Sequence, residues 1–251
     1  MPEIGVLEKK KMIEVEKKYS ASISSLQYLE KYARFIKKIK LVDVYYDTSD
    51  YKLTLKDEWL RKRGEKFELK VGVKGENDSI DRYHEITDDI AIMHHLHLKE
   101  LSLEEALKQA SILPFATLKT IRKKYILDTC SIDLDETSFD KTSFDEASLD
   151  ETSFDETSFD ETSFNETSFN HKSKNSKKPL VYSLIEIEKM VSNEEEIPSA
   201  ENTIEKLAKK LHLKEKGYSK LTVFLALKRK SHYLALYKAK VVEACPYFHA
   251  K

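Results

Sequence analysis

The sequence predicts an α+β fold: eight antiparallel strands in one closed or strongly curled sheet, with helices on its flanks. Three observations carry that expectation. Stretches rich in β-branched and aromatic residues recur eight times. They do not alternate regularly with helices, which argues against parallel βαβ units. Five of them carry charged residues two positions apart, so that charge collects on one face of a strand.

The elements follow in order. A strand is expected at 8–18; in "MIEVEKKY", residues 12–19, Glu14, Glu16 and Lys18 share one face and Ile13 and Val15 the other. Residues 24–39 have helical spacing, with Leu26, Leu29, Ala33 and Ile36 on one side. Strands are expected at 41–47, 57–63, 66–73 and 81–87, with a hairpin turn at Gly75–Asn77. "IMHHLHLKE" reads as a loop or helix end; its His94, His95 and His97 lack the second ligand pair that a zinc site needs. "LEEALKQA" is a short helix, and strands return at 118–128, 130–135 and 180–191. Pro198 and Ser199 open a helix carrying Ile204, Leu207, Ala208 and Leu211 at helical spacing. "LTVFLALKRKSHYLALY" supplies the last helices.

Residues 135–169 interrupt this pattern with seven pentads of the DETSF type, holding twelve acids and one base. Their apolar residues recur every five positions, which fits neither helix nor strand. The segment from 136 to about 177 is therefore expected to be a disordered insertion in a single domain spanning 1–251, whose core is about 10–238. The formal net charge of −1 hides a body of net +10, because the pentads take −11. A basic body favours anionic partners. No run of about 18 apolar residues exists and the N-terminal stretch lacks a signal-peptide core, so a cytoplasmic protein without a membrane partner is expected. Its two cysteines, Cys130 and Cys245, are then expected as reduced thiols.

The charged rows are the informative feature. Glu14/Glu16/Lys18, Arg61/Arg63, Glu68/Lys70, Asp133/Asp135 and Glu186/Glu188 each lie two apart within one strand. An open wet face would mix charges, because like charges side by side repel. Segregated acids and arginines make sense if a metal sits among the acids and a polyanion lies along the bases. Mg²⁺ takes carboxylate oxygens, as does Mn²⁺, and arginine forks match phosphate oxygens. A metal-complexed di- or triphosphate is the implied ligand. No G-x-x-x-x-G-K-[ST] is present and there are only five glycines, so side chains rather than backbone amides must hold it.

The E-x-E-x-K row resembles the signature of the CYTH superfamily, the triphosphate tunnel metalloenzymes. "YYDT", "WLRKR", "ELK", "TIRKKY", "SIDLD", "IEIEKMV" and "GYSKLTVFLALKRK" follow in an order similar to that of its thiamine-triphosphatase branch. The resemblance covers about 10–238 and is broken only by the pentads. It implies an eight-stranded antiparallel barrel, a tunnel with a polar inner wall. It implies Glu14, Glu16, Asp133, Glu186 and Glu188 as metal ligands, with Asp135 on the same side. Lys18, Arg61, Arg63, Lys70, Arg122 and Lys220 are implied as triphosphate-binding bases, with Asp133 also on the substrate side. Lys123 and Lys124 compete with Arg122 for its assignment. Tyr45 and Trp59 match aromatic positions that face an organic cation, a contact suited to a thiazolium ring.

The implied activity is Mg²⁺-dependent hydrolysis of thiamine triphosphate to thiamine diphosphate and phosphate, with Mn²⁺ as an alternative ion. Lys70 is the candidate catalytic group, positioning or deprotonating the attacking water if neighbouring cations depress its pKa. A small-molecule triphosphate is the expected partner, with no nucleic acid or membrane, and the protein is expected to be a monomer. The rivals are hydrolysis of inorganic tripolyphosphate or another triphosphate, ATP cyclisation, a non-catalytic polyphosphate-binding module, and a nucleic-acid-binding scaffold.

Overall fold

The computed structural model describes residues 12–73, 81–99, 102–139, 181–214 and 216–248. Eight strands close into an antiparallel barrel, as the sequence predicts. They are β1 (Ile13–Ser20), β2 (Arg34–Asp47), β3 (Glu58–Arg63), β4 (Lys66–Gly72), β5 (Asp81–Ile86), β6 (Leu113–Leu127), β7 (Cys130–Ser138) and β8 (Val181–Val191). The order around the barrel is β1-β5-β4-β3-β2-β6-β7-β8, and β8 pairs again with β1.

The apolar core lies outside this barrel. Ile13 and Val15 of β1, Ile132 and Leu134 of β7 and Ile185 and Ile187 of β8 pack beneath α1 (Ile23–Tyr32) and α4 (Ile197–Lys210). α4 meets them with Ile197, Ala200, Ile204, Leu207 and Ala208, a stripe at helical spacing. Leu60 of β3 and Phe67 and Leu69 of β4 are covered by Ile92 of α2 (Asp89–His95) and Leu103 and Leu107 of α3 (Leu103–Gln109). Burying alternate residues outward leaves the intervening charged ones facing inward, an inversion of the usual barrel core.

At one end of the barrel the inner face itself turns apolar. Tyr45, Leu118, Tyr182 and Leu184 pack there against Leu221, Phe224 and Leu225 of α5 (Lys220–Lys228) and Leu236 of α6 (Lys230–Lys238). Gly217 fixes this junction. Its N–H donates to Lys18 O at 2.9 Å, and a Cβ there would stand 2.4 Å from Leu184 Cδ1.

Three sequence expectations are corrected. The helix expected over 24–39 ends at Tyr32, with Ala33 already extended at ψ 144°. Residues 34–39 instead belong to β2 and pair with β6, from Arg34 opposite Ile126 to Ile39 opposite Arg122. Phe35, Ile36 and Ile39 suit a strand, and pairing along β6 overrides the helical spacing. β6 begins at Leu113, five residues before the expected start, because β2 continues to pair with it as far as Asp47 opposite Leu113. Finally, the first pentad is not loop throughout. β7 runs through Ser138, pairing Thr137 with Tyr182 and Ser138 with Val181, and Phe139 is buried. The expected turn at Gly75–Asn77 and the remaining pentads, from Asp140, lie outside the described residues. Cys130 and Cys245 are free and buried.

Candidate functional site

Residues directly opposite in a ladder share a face, so the register decides whether the charged rows meet. Glu16 and Lys18 stand opposite Glu188 and Glu186. Glu186 stands opposite Asp133, and Asp133 and Asp135 opposite Lys124 and Arg122. On the other side of the barrel Asp43 and Tyr45 oppose Arg63 and Arg61, Arg61 opposes Glu68, and Trp59 opposes Lys70. Lys70 opposes Glu85, and Tyr83 and Asp81 oppose Glu14 and Glu16, closing the ring. All the rows predicted from sequence therefore line one interior.

Within it every predicted base has an acidic partner. Lys18 Nζ lies 2.6 Å from Glu16 and 2.5 Å from Asp81. Lys70 pairs with Glu14 and lies 3.7 Å from Glu16. Arg63 grips Asp43 bidentately at 2.6 and 2.8 Å. Arg61 donates to Glu68 at 2.7 Å. Arg122 grips Asp135 with two bonds of 2.6 Å, reaches Glu186 at 2.8 Å and pairs with Asp133. Lys220 enters from the first residue of α5, whose N-cap Ser219 accepts from Thr222 N, and pairs with Asp135. Such pairs are open to exchange: a cation for the acids and phosphate oxygens for the bases would replace one set of opposite charges with another.

The acids converge at Glu188. One oxygen from each of Glu14, Glu16 and Glu188 lies within 4.8 Å of the others, and the same holds for Asp133, Glu186 and Glu188. Burial, followed by repulsion from Asp133, Glu14 and Glu16, pushes the Glu188 carboxyl up to about 8. Burial also raises Glu14 and Asp133. Glu186 is held well below the usual carboxylate range: burial opposes this, but Lys220 and Arg122 outweigh it. Asp133 Oδ2 accepts from Lys124 at 3.2 Å, whereas its buried Oδ1 accepts no hydrogen bond, although the Lys124 ammonium stands 3.2 Å away. Crowded hard oxygens, one of them without a donor, fit a divalent cation.

Lys70 departs from the expectation for a base. Burial works against its charge, but Glu16 and Glu14 outweigh burial and raise its pKa. The cationic neighbours that were to depress it are outmatched, so Lys70 is a fixed ammonium donor. Tyr45 also differs. It is only 7% exposed, packs in the apolar plug and tilts on Phe115, so it presents no open ring to a ligand. Trp59 is half-buried at the edge of that plug and its indole donates to Asp57 at 2.6 Å. Asp43, Asp81, Tyr83 and Glu85 complete the lining without a sequence assignment, and Lys124, the rival to Arg122, lines it as well, opposite Asp133. "DRYHE" carries the same two-apart signal in Asp81, Tyr83 and Glu85, masked by the intervening Arg82 and His84. Arg82 points outward to Glu201 of α4.

A model of the CYTH domain matches residues 12–221. Among solved structures, the PH1819 protein from Pyrococcus horikoshii OT3 is similar at 19% identity, covering 83% of this chain and 96% of that one, with a TM-score of 0.49. A putative adenylate cyclase from Vibrio parahaemolyticus is 17% identical over 85% of this chain and 98% of its own, with a TM-score of 0.48. A putative adenylyl cyclase from Hippeastrum, described as having a dominant triphosphatase activity, is 15% identical over 95% and 100%, with a TM-score of 0.47.

Proposed function

The chain belongs to the CYTH domain family, and from that premise we propose that it is a Mg²⁺-dependent hydrolase converting thiamine triphosphate to thiamine diphosphate and phosphate. The observation carrying this reading is that acid and base rows from separate strands line a single interior, with one half-buried indole at its apolar end.

Arg61, Arg63 and Arg122 offer planar forks to phosphate oxygens, while Lys18, Lys70 and Lys220 add point charge. Together they offset the ground-state charge of the triphosphate and the charge that grows on the leaving diphosphate. Glu14, Glu16 and Glu188, with Asp133 and Glu186, are the residues that would hold Mg²⁺ or Mn²⁺. When bound, such an ion supplies charge neutralisation at the phosphoryl oxygens. Water attacks the γ-phosphorus and the bond from it to the β,γ-bridging oxygen breaks, its electron pair staying on thiamine diphosphate; one water proton stays on the inorganic phosphate and the other passes to solvent. Lys70 positions that water or a phosphate oxygen by donation, in keeping with its raised pKa. Trp59 receives the organic cation on its ring. Every residue used comes from one chain, so the reading requires no nucleic acid, membrane or second subunit.

The burial of Tyr45 favours a second reading, hydrolysis of inorganic tripolyphosphate, because only one of the two aromatics is left to meet an organic group. Phosphate release from thiamine triphosphate, ATP and tripolyphosphate, each with and without Mg²⁺, separates the two. The first reading expects metal-dependent release with the highest kcat/KM on thiamine triphosphate. Highest kcat/KM on tripolyphosphate selects the second, and no release from any of the three defeats both.

A further inference from the structure

We propose that Asp57 is a positioning residue whose carboxyl group locks the Trp59 indole as the subsite for the organic moiety of the substrate, a contact that rests on the thiamine triphosphate reading. Asp57 is held from three sides. It follows the 3-10 turn Thr54–Lys56 in a left-handed conformation, φ 61°, with its N–H on Thr54 O at 3.1 Å. Its own carbonyl accepts from Gly72 N at 2.9 Å. Its carboxyl group fills the space over Gly72, where a Cβ would stand 1.8 Å from Oδ2. The other oxygen, Oδ1, accepts the indole N–H of Trp59 at 2.6 Å.

The glycine is thus the seat of the carboxyl group, and the carboxyl group is the clamp on the ring. A tryptophan at the edge of an apolar plug has rotamers to choose from; a short hydrogen bond to a group fixed by backbone and glycine removes that choice. Positioning is the role the geometry favours, since one carboxyl oxygen sits over Gly72 and the other holds the indole. Burial raises the Asp57 carboxyl to about 6, against the Trp59 indole N–H that lowers it, so the group is mostly ionised at neutrality and takes up its proton as pH falls through about 6. Either protonation state retains an oxygen able to accept from the indole.

Trp59 is the single tryptophan of the chain, which makes the ring directly observable. Asp57→Gly removes the clamp without backbone strain, because glycine accepts the positive φ. Asp57→Asn keeps an acceptor oxygen, and asparagine tolerates the same φ. In Asp57→Gly the Trp59 emission maximum and anisotropy should shift in the ligand-free protein. The ratio of kcat/KM for thiamine triphosphate to that for tripolyphosphate should fall about fivefold to tenfold through KM. Asp57→Asn should restore both. Gly72→Ala, which pushes Asp57 off its seat, should reproduce the spectral shift and serves if Asp57→Gly does not fold. Wild-type spectra and selectivity in the folded Gly variant overturn the proposal, and so does an Asn variant that behaves like Gly, since that outcome assigns charge recognition instead. Wild-type protein inactive on thiamine triphosphate defeats the substrate reading alone. The spectra of the ligand-free variants then decide whether Asp57 holds the ring.

Discussion

Glu186 shows how a single side chain serves two partners here. It meets Arg122 at 2.8 Å, lies 3.7 Å from Lys220, and belongs to one of the two acid triads. Glu186→Gln keeps the shape and removes the charge. Metal-dependent turnover should drop about 100-fold or more, while circular dichroism stays at wild type. Retained turnover removes Glu186 from the site. His232, by contrast, is a structural residue with a pH signature. It is buried, stacks on Tyr51 at 3.9 Å and meets Thr54 Oγ1 at 2.8 Å, which in turn donates to Asp47 at 2.6 Å. Burial lowers its pKa to about 4. The unfolded chain therefore binds a proton near its ordinary value of 6.5 that the folded chain refuses until about 4. Stability from this group is complete above about 6.5 and declines as pH falls towards 4, by on the order of 2 kcal/mol. Urea unfolding across that range should show the decline, and His232→Gln should flatten it; an unchanged slope places the proton uptake elsewhere. Asp47, the aspartate of "YYDT", accepts from Leu53 N and Thr54 N and so anchors the β2–β3 connection, not the substrate.

At the scale of elements, α5 couples the outer helical layer to the interior. Its first residue, Lys220, is the base that pairs with Asp135, while Leu221, Phe224 and Leu225 close the apolar end. Gly217, three residues earlier, sets its approach, with Tyr19 backbone atoms 2.8 Å from where a Cβ would be. Gly217→Ala must move backbone or Leu184. It should cost about 2 kcal/mol in urea unfolding and weaken tripolyphosphate binding by withdrawing Lys220. A neutral substitution contradicts this account of the junction. The elements also show what sequence could and could not reveal. Charged pairs two apart disclosed the inner faces of β1, β3, β4, β7 and β8, because strand alternation converts spacing into side. Residues 34–39 have an apolar spacing that satisfies a helix, and only pairing with β6 makes them a strand. Tyr45 shares the inner face with Arg61, yet its burial follows from α5, which no local pattern in β2 announces.

For the molecule as a whole, the closed barrel was legible from strand number and charge segregation, and the first pentad shows where composition misled. Thr137 of "DETSF" bonds Thr120 at 2.8 Å inside the barrel, so the repeat begins within β7. β7 and β8 are adjacent, with Ser138 opposite Val181, so a short turn can join them. Removing 141–176 should preserve the melting temperature within a few degrees and metal-dependent turnover within about threefold. Loss of either assigns the segment a structural or catalytic part. If strand alternation, and not overall basicity, makes the proposed triphosphate site, only the inward-facing bases should matter to binding. Lys62 lies between Arg61 and Arg63 but points outward to Glu104 of α3 at 2.8 Å. Calorimetric titration of tripolyphosphate into wild type, Arg61→Met and Lys62→Met is the most direct test. Arg61→Met should bind at least about tenfold more weakly and Lys62→Met with wild-type affinity. Equal losses in both variants, or none in either, would mean that the inward face does not select the polyanion.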